Sequence, residues 1–273
     1  MKVIITVMLT FFLTHATVLG MKVPQVDLHI TKEEYAISFL PVLHGEVAVI
    51  HLSSGGNYLI NTGTIKEKDQ LYYYLKQLQI QNLKAIVITE KSEVHEDMIK
   101  ELMKRYSVDE LIIGKTLAPS ISEGLSQQTR RLEEGQTYTV SEGLVMNVLH
   151  EGSDEGEGLD FSITFFHHRF LWLSSQSAHG EEVLLTHSLK NVNIVKIPLH
   201  SKAENMSHRL LKHIDPQTAI LYRSKEKLLN GDMLEAINEA WIDLYLTGQH
   251  GLIAVKFNRR NYEVLTFDNR DGA

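Results

Sequence analysis

The sequence predicts an α/β domain built as a four-layer αββα sandwich, with two mixed β-sheets flanked by helices. Two observations indicate this fold class. The first is that each half of the chain carries several short strand patterns, and the second is that alternating helix and strand patterns follow them in each half. Each sheet must bury both faces, so two such halves pack as two sheets face to face with helices outside. A chain of 273 residues, 43% of them hydrophobic, is long enough to bury such a core.

The first half begins with three short strand patterns separated by glycine-containing turns at Gly45 and at residues 53–56. An amphipathic helix then leads into the continuous apolar run LKAIVIT, which is typical of a strand buried on both faces. The predicted elements are strands at 35–40, 46–52 and 57–60, a helix at 66–78, a strand at 83–89, a helix at 94–106 and a strand at 110–113.

The second half repeats this organisation and ends in a hairpin that turns at residues 258–261. The acidic, glycine-rich segment EGSDEGEG at 151–158 is expected to be a mobile, exposed loop. The predicted elements are strands at 145–150, 161–167 and 169–173, a helix at 181–189, a strand at 193–197, a helix at 205–214, a strand at 218–222 and a helix at 232–241.

Composition excludes several classes of site. The chain has no cysteine, so neither a disulfide nor a thiolate metal site is available. Its formal net charge is -7 and it has no long run of Lys and Arg, which disfavours generic nucleic-acid binding. The partner is therefore unknown from composition. A protein of the cell envelope or a small anionic ligand is compatible with it.

The N-terminus indicates export. One lysine, Lys2, precedes an apolar run that ends in small residues near Gly20, as in a secretory signal peptide. We therefore expect residues 1–20 to be a signal peptide, or alternatively an uncleaved N-terminal anchor, and residues 30–273 to form a single domain. The protein is then secreted, or anchored outside the cytoplasmic membrane.

Five segments in a fixed order resemble a known family: FLPVLHGEVAVIHLSSGGNYLINTG, LKAIVITEKSEVHEDM, FLWLSSQS, VKIPLHSK and the final GLIAVKF. Together they are similar to the metallo-β-lactamase fold, and within it most similar to the ComEC-type competence-protein domain. The resemblance covers about residues 36 to 268. It implies an HxHxDH motif after a buried strand, an aspartate ending an LLTGD-like strand and a histidine in a PHHGS-like turn. In such sites, imidazole and carboxylate groups hold one or two divalent metals that activate water.

Most of the implied ligands are replaced in this chain. Against HxHxDH the chain places Glu90, Ser92, Val94 and His95, so only the last histidine is kept, and the bridging aspartate corresponds to the neutral amide Gln176. In the IDTG-like turn Asn61 replaces the aspartate, which removes another charge from the same end of the sheet. His200 lies in the turn PLHSK, which keeps one histidine of the family's pair. The positions that match the family motifs are Asn61, Glu90, Ser92, Val94, His95, Gln176 and His200.

The resemblance therefore implies a degenerate metal site. A catalytic zinc requires three protein ligands and an open position. We expect an exported, non-catalytic binding or scaffolding domain without a cofactor, in effect a pseudoenzyme. The alternative is a mononuclear metal-dependent hydrolase of the phosphodiesterase or nuclease type, with zinc or another divalent metal held by His95, His200 and Glu90. A role in DNA uptake or envelope biology is a third possibility that rests on family analogy alone.

Two other groups of residues are candidates. Ser174 and Ser175 near His200 would suggest a nucleophile and its base, but no GxSxG elbow surrounds them. His44 and Glu46 lie in the first turn and can face the cleft, although polar turn residues more often cap the backbone.

Overall fold

The strands form two mixed sheets of eight and seven strands. The computed structural model describes residues 23–198, 206–222 and 231–268. The strands are β1 (Tyr35–Leu40), β2 (Val47–His51), β3 (Asn57–Ile60), β4 (Ala85–Ile88), β5 (Glu110–Gly114), β6 (Thr129–Leu132), β7 (Thr137–Ser141), β8 (Leu144–Glu151), β9 (Leu159–Phe165), β10 (His168–Trp172), β11 (Val192–Ile197), β12 (Thr218–Leu221), β13 (Asp243–Leu246), β14 (Leu252–Phe257) and β15 (Tyr262–Phe267). The predicted signal at residues 1–20 and the candidate ligand His200 lie outside the described residues.

Seven α-helices accompany the strands in the described residues. They are α1 (Lys68–Gln77), α2 (Glu96–Arg105), α3 (Glu123–Ser126), α4 (Ala178–Thr186), α5 (His208–Ile214), α6 (Gly231–Glu239) and α7 (Thr247–His250). Short 3-10 turns occur at Ile65–Glu67, Lys91–Glu93 and Lys115–Ser120. No helix of these residues is both long enough and apolar enough to cross a membrane.

Both sheets have the same organisation. The first has the order β15-β14-β1-β2-β3-β4-β5-β6 and the second β13-β12-β11-β10-β9-β8-β7. In the first, β3 to β6 pair in parallel and the other strands pair antiparallel; in the second, β10 to β13 pair in parallel. The parallel strands of each half therefore end at one edge of their sheet, where βα loops collect functional residues.

Alternate residues of each strand are buried on opposite faces of its sheet, which produces the four layers. On β1, Ile37 and Phe39 face the second sheet, whereas Ala36 and Leu40 face the helices. Three apolar clusters result: one between the sheets, one under α1 and α2, and one under α4, α5 and α6. The predicted αββα sandwich is confirmed.

Serine N-caps set the first residues of α4 and α5. The sequence periodicity predicted these helices to start at 181 and 205, each about three residues from the observed start. Ser177 accepts a hydrogen bond from the Gly180 N–H (2.8 Å), so α4 begins at Ala178. Ser207 accepts one from the Leu210 N–H (3.0 Å), so α5 begins at His208.

The acidic loop at 151–158 is docked, and the expectation of a mobile, exposed loop was wrong for most of it. Gly156 accepts hydrogen bonds from the N–H groups of Gln176 (2.7 Å) and Ser177 (3.0 Å). The Glu157 carboxylate accepts one from the Ser177 hydroxyl (3.0 Å), and Gly152 and Gly158 are buried. Glycine and acidic composition do not reveal these tertiary contacts, which hold the loop against the start of α4.

Residues 61–63, 89–90, 158 and 173–176 lie together at one end of the sandwich, which we call the mouth. Leu159 N–H, in the second sheet, donates to the carbonyl of Thr89, in the first (2.7 Å). A Cβ at Gly158 would lie 2.6 Å from that carbonyl oxygen and 2.7 Å from the Cβ of Ser174. Only glycine allows the two sheets to approach this closely at the mouth.

We expect the turn before β2 to tolerate no side chain at Gly45. A Cβ there would lie 2.8 Å from the Glu93 carboxylate and 2.9 Å from the Cα of Gly63, at a φ of 88°. Gly55 is a matched control, with a φ of 82° and no atom within 4 Å. Gly55→Ala should lower the free energy of unfolding by about 1 kcal/mol through backbone strain alone. Gly45→Ala should cost about 2 kcal/mol more through overpacking. Urea unfolding of both variants measures the difference, and equal losses would contradict the steric contact.

Candidate functional site

Asn61, which the resemblance matches to the aspartate of an IDTG-like turn, forms hydrogen bonds within the protein. It is fully buried, with a φ of 58°, directly after β3. Its Nδ2 donates to the carbonyl of Glu46 (3.1 Å) and to the Thr89 hydroxyl (2.9 Å), while its Oδ1 accepts from the Thr89 N–H (2.8 Å). An aspartate could not donate the first two bonds. Asn61 therefore joins the ends of β3 and β4 to the turn before β2.

The segment after β4 holds four of the positions that match the HxHxDH motif. Glu90 is buried, and the Ser92 hydroxyl donates to its Oε2 (3.1 Å). Val94 has no donor atom and packs partly buried against the core under α1 and α2. His95 precedes α2, and its Nε2 is buried without a hydrogen-bond partner. The structure thus brings Glu90 and Ser92 together and leaves one imidazole nitrogen of His95 unused.

Gln176, at the position of the family's bridging aspartate, lies in the turn between β10 and α4. Neither the oxygen nor the nitrogen of its side-chain amide has a hydrogen-bond partner, and both atoms are buried. The side chain lines a cavity of about 20 Å³ together with Leu184 of α4 and Leu210 of α5. This space is enough for one water molecule. The amide is therefore a donor and an acceptor that the described residues leave unused.

Two further carboxylates, which the sequence did not single out, hold the loops of the mouth. Glu93 is buried, and its Oε2 accepts from the Gly63 N–H (3.0 Å). Glu67 is also buried, and its Oε2 accepts from the His44 N–H (3.0 Å). Burial, followed by the nearby charge of Glu90, raises the pKa of Glu93 to about 8, so this carboxyl is mostly protonated at neutral pH.

Ser174 and Ser175 serve the architecture of the mouth. Their N–H groups donate to Oδ1 of the fully buried Asp160, at 2.6 and 2.9 Å. The Ser174 hydroxyl accepts from the Trp172 indole N–H (3.0 Å), and the Ser175 hydroxyl accepts from the Gly158 N–H (3.1 Å). Burial raises the pKa of Asp160 to about 6, although these hydrogen bonds oppose the shift. Both hydroxyls are thus engaged in local structure.

A lysine lies at the mouth between the two sheets. Lys196 of β11 is fully buried, and its Nζ donates to the Glu46 carboxylate and to the carbonyl of Leu173 (2.8 Å). The same Nζ lies 4.5 Å from the centroid of the Trp172 ring. Burial lowers the pKa of Lys196 well below its ordinary value, while the carboxylate and the ring face favour the ammonium form. We assign an ion pair, because every group within reach of Nζ accepts a hydrogen bond or attracts a cation.

The donor set does not fit the two-metal centre that the resemblance implies. Asn61 already bonds to protein groups through both N–H groups and its carbonyl oxygen, Val94 has no donor and Gln176 offers a neutral amide. Across residues 23–198, 206–222 and 231–268, no group of three or more His, Cys, Asp or Glu is arranged to hold a metal ion. The mononuclear alternative also needs His200, so it stays a prediction.

Comparisons with known proteins identify the fold. No protein-family model matches the sequence, and no curated protein matches it significantly. Among solved structures, the metallo-β-lactamase fold protein YhfI from Bacillus subtilis superposes with a TM-score of 0.58 at 11% identity, over 79% of this chain and 96% of that chain. The chain has the metallo-β-lactamase fold.

Two other structures with the metallo-β-lactamase fold organisation are similar. Igni18, a metallo hydrolase from the archaeon Ignicoccus hospitalis, gives a TM-score of 0.52 at 13% identity over 85% of this chain and all (100%) of that chain. A diphosphatase from the PhnP family gives a TM-score of 0.53 at 13% identity, over 86% of this chain and 99% of that chain. At these identities the similarity shows the fold alone.

Sequence reasoning missed Lys196, Glu93 and Asp160. A signal was present for Lys196, because a charged residue within the apolar strand VNIVKI requires a buried partner. Nothing in the sequence identified Glu46 as that partner, since the two residues are 150 positions apart.

We expect Asn61→Asp, which restores the family's residue, to destabilise the protein. The aspartate loses both donated bonds and places a carboxylate beside the carbonyl of Glu46. The free energy of unfolding should fall by about 2 to 3 kcal/mol at neutral pH. Asn57→Asp is the control, because the hydrogen bonds that the Asn57 side-chain amide donates are long (3.4 Å) and exposed. Its free energy of unfolding should fall by under about 1 kcal/mol. Chemical denaturation measures both, and an Asn61→Asp variant as stable as the wild type would refute the assigned role.

The raised pKa of Glu93 predicts a pH dependence. Folding favours the protonated carboxyl, so its stabilisation is complete below about 4.5 and is lost as pH rises through about 8. Glu93→Gln mimics the protonated form and should be more stable than the wild type above pH 8, by up to about 5 kcal/mol. At low pH the two should be equal.

The matched control for this experiment is Glu235→Gln, because Glu235 is exposed on α6. Its pH–stability curve should parallel that of the wild type. A Glu93→Gln curve that also runs parallel to the wild type would show that Glu93 does not titrate in the folded protein with a raised pKa.

Proposed function

We propose that this protein is an exported, ComEC-like domain of the metallo-β-lactamase fold whose degenerate metal-binding motif leaves a binding or scaffolding cleft without hydrolytic chemistry. The observation that carries the proposal is Asn61. The resemblance matches it to the aspartate of an IDTG-like turn, yet its neutral amide donates to Glu46 and Thr89 and accepts from the Thr89 N–H. An amide whose two N–H groups and carbonyl oxygen all bond to the protein serves the architecture, and it brings no negative charge to attract a metal ion.

The surroundings of Asn61 support the same conclusion. Glu46 is paired with Lys196, Glu93 accepts from Gly63, and Ser174 and Ser175 bond to Asp160 or to the backbone. These polar groups stabilise the mouth of the fold and are not directed at a reacting atom. The motif has kept its place in the architecture and lost its donors.

The binding role is supported by Gln176. Its amide has a donor and an acceptor that no described residue satisfies, and it lies beside a small cavity. Buried polar atoms in native proteins nearly always find a partner, so a ligand, water or a neighbouring chain segment is expected there. The carboxylate of Glu181 also lines this cavity and favours a neutral or hydrogen-bond-donating ligand group at this point.

A mononuclear hydrolase is the second candidate, and His95 favours it. Its buried Nε2 lacks a partner, and Glu90 lies five residues earlier at the same strand end. Two of the similar structures are a metallo hydrolase and a diphosphatase. In this case His95, Glu90 and His200 would hold zinc or a related ion, which would supply an activated water for phosphodiester cleavage.

Metal content and turnover separate the two candidates. The full-length protein is purified without chelators, and bound zinc, manganese and iron are measured by elemental analysis beside turnover of a phosphodiester and of DNA. We expect metal far below one ion per chain and no turnover, because residues 23–198, 206–222 and 231–268 bring no three such ligands together. His95→Ala is the diagnostic variant, and His208→Ala is its matched control because His208 is exposed on α5.

One result would overturn the proposal: near-stoichiometric metal or turnover that disappears in His95→Ala and persists in His208→Ala. Metal that both variants keep would lie elsewhere and would leave the cleft non-hydrolytic.

A further inference from the structure

The buried charges of the described residues are strongly unbalanced. Five carboxylates are buried, namely Glu46, Glu67, Glu90, Glu93 and Asp160, and the only buried lysine or arginine in this part of the chain is Lys196. Four of the five acids belong to the first sheet and its loops, whereas Lys196 belongs to the second sheet. A buried carboxylate is costly unless it is protonated, hydrogen-bonded or paired with a cation.

Lys196 extends across the interface between the two sheets and supplies a cation to one of these carboxylates. Its ammonium contacts the Glu46 carboxylate of the first sheet and the carbonyl of Leu173 in its own sheet. Leu173 directly precedes the segment that contains Gln176, and the carbonyl of Glu46 accepts from Asn61. One ammonium group thus connects the turn that contacts Asn61 with the segment that contains Gln176.

A second bond across the interface lies beside this pair. The Tyr222 hydroxyl, just after β12, donates to the carbonyl of Val47 at the start of β2 (2.5 Å). Glu46 and Val47 are therefore both tied to the second sheet, one by an ion pair and one by a neutral hydrogen bond. The turn that precedes β2 is fixed from two sides.

We infer that Lys196 is a built-in cation, which holds the two sheets together at the mouth and makes a bound metal ion unnecessary for its architecture. A divalent ion in this fold can bridge carboxylates and loops from both sheets, and the ammonium of Lys196 does the same by one charge-assisted hydrogen bond and one bond to a carbonyl. Lys196 is a positioning residue: it holds Glu46, whose carbonyl bonds to Asn61, and Leu173, which precedes the segment of Gln176. The inference is independent of what the cleft binds.

A double-mutant cycle with metal titration tests the inference. The variants are Lys196→Met, Glu46→Gln and their combination, and the thermal midpoint is measured with a chelator and with added manganese or zinc. Lys196→Met strands a buried carboxylate and should lower the midpoint by about 10 °C. The double variant should lose less than the sum of the single losses, because neither residue is then charged.

The metal response distinguishes a cation role from ordinary packing. In Lys196→Met, added manganese or zinc should recover part of the lost midpoint, because a divalent ion can neutralise the stranded Glu46. The wild type and Glu46→Gln should not respond. Glu46→Gln keeps the side-chain shape and remains measurable even if Lys196→Met does not fold.

The control is Lys256→Met. Lys256 lies on β14, far from the mouth, and its Nζ is 3.1 Å from the Glu34 carboxylate. Its midpoint should fall by under about 3 °C without any metal response. Additive losses in the cycle, or a wild-type midpoint that a chelator lowers, would overturn the inference. These outcomes are separate from those of the metal-content experiment, since a metal held by His95 would leave the coupling between Lys196 and Glu46 unchanged.

Discussion

The ion pair between Lys196 and Glu46 is the interaction on which the mouth of this sandwich depends. It is buried, it joins the two sheets, and it lies where four other buried carboxylates collect. In a low-dielectric interior such a pair is stabilising only if its remaining hydrogen-bonding capacity is satisfied. The carbonyl of Leu173 and the face of Trp172 complete the surroundings of the ammonium, so the condition is met.

Around this pair, the chain has the metallo-β-lactamase fold, and the polar side chains of the mouth bond mainly to one another and to the backbone. Parallel strands in both sheets still end at one edge, and loops still converge there. Asn61 bonds to the backbone, Glu93 holds Gly63, and Asp160 holds the turn after β10. Polar groups at strand ends can serve catalysis or architecture, and hydrogen bonds made to the protein decide in favour of architecture.

The docked acidic loop completes this arrangement. Gly158 lets the second sheet approach Thr89 closely, and Gly156 and Glu157 bind the start of α4. Loop, helix and both sheets therefore share hydrogen bonds at the mouth. Gln176 lies beside this network with an unsatisfied side-chain amide, and that amide is the basis of the proposed binding role.

The sequence by itself determined the fold class and most strands, and the resemblance predicted from it which ligand positions are replaced. Period-two and period-3.6 patterns are local, so runs such as LKAIVIT and the apolar face of α2 identify their elements without tertiary information. The strands β6, β7 and β13 escaped this reading, because they are short, partly exposed strands without a continuous apolar run. The change from aspartate to Asn61 and Gln176 was also evident from residue type alone.

Only the tertiary structure decided what these residues do. Lys196 and Glu46 are 150 positions apart, and no local pattern connects them. The pKa of Glu93 depends on burial and on Glu90, and the docking of the acidic loop depends on α4. Contacts of this kind form when two separately patterned halves pack against each other, so their energetics belong to the interface and are absent from either half of the sequence.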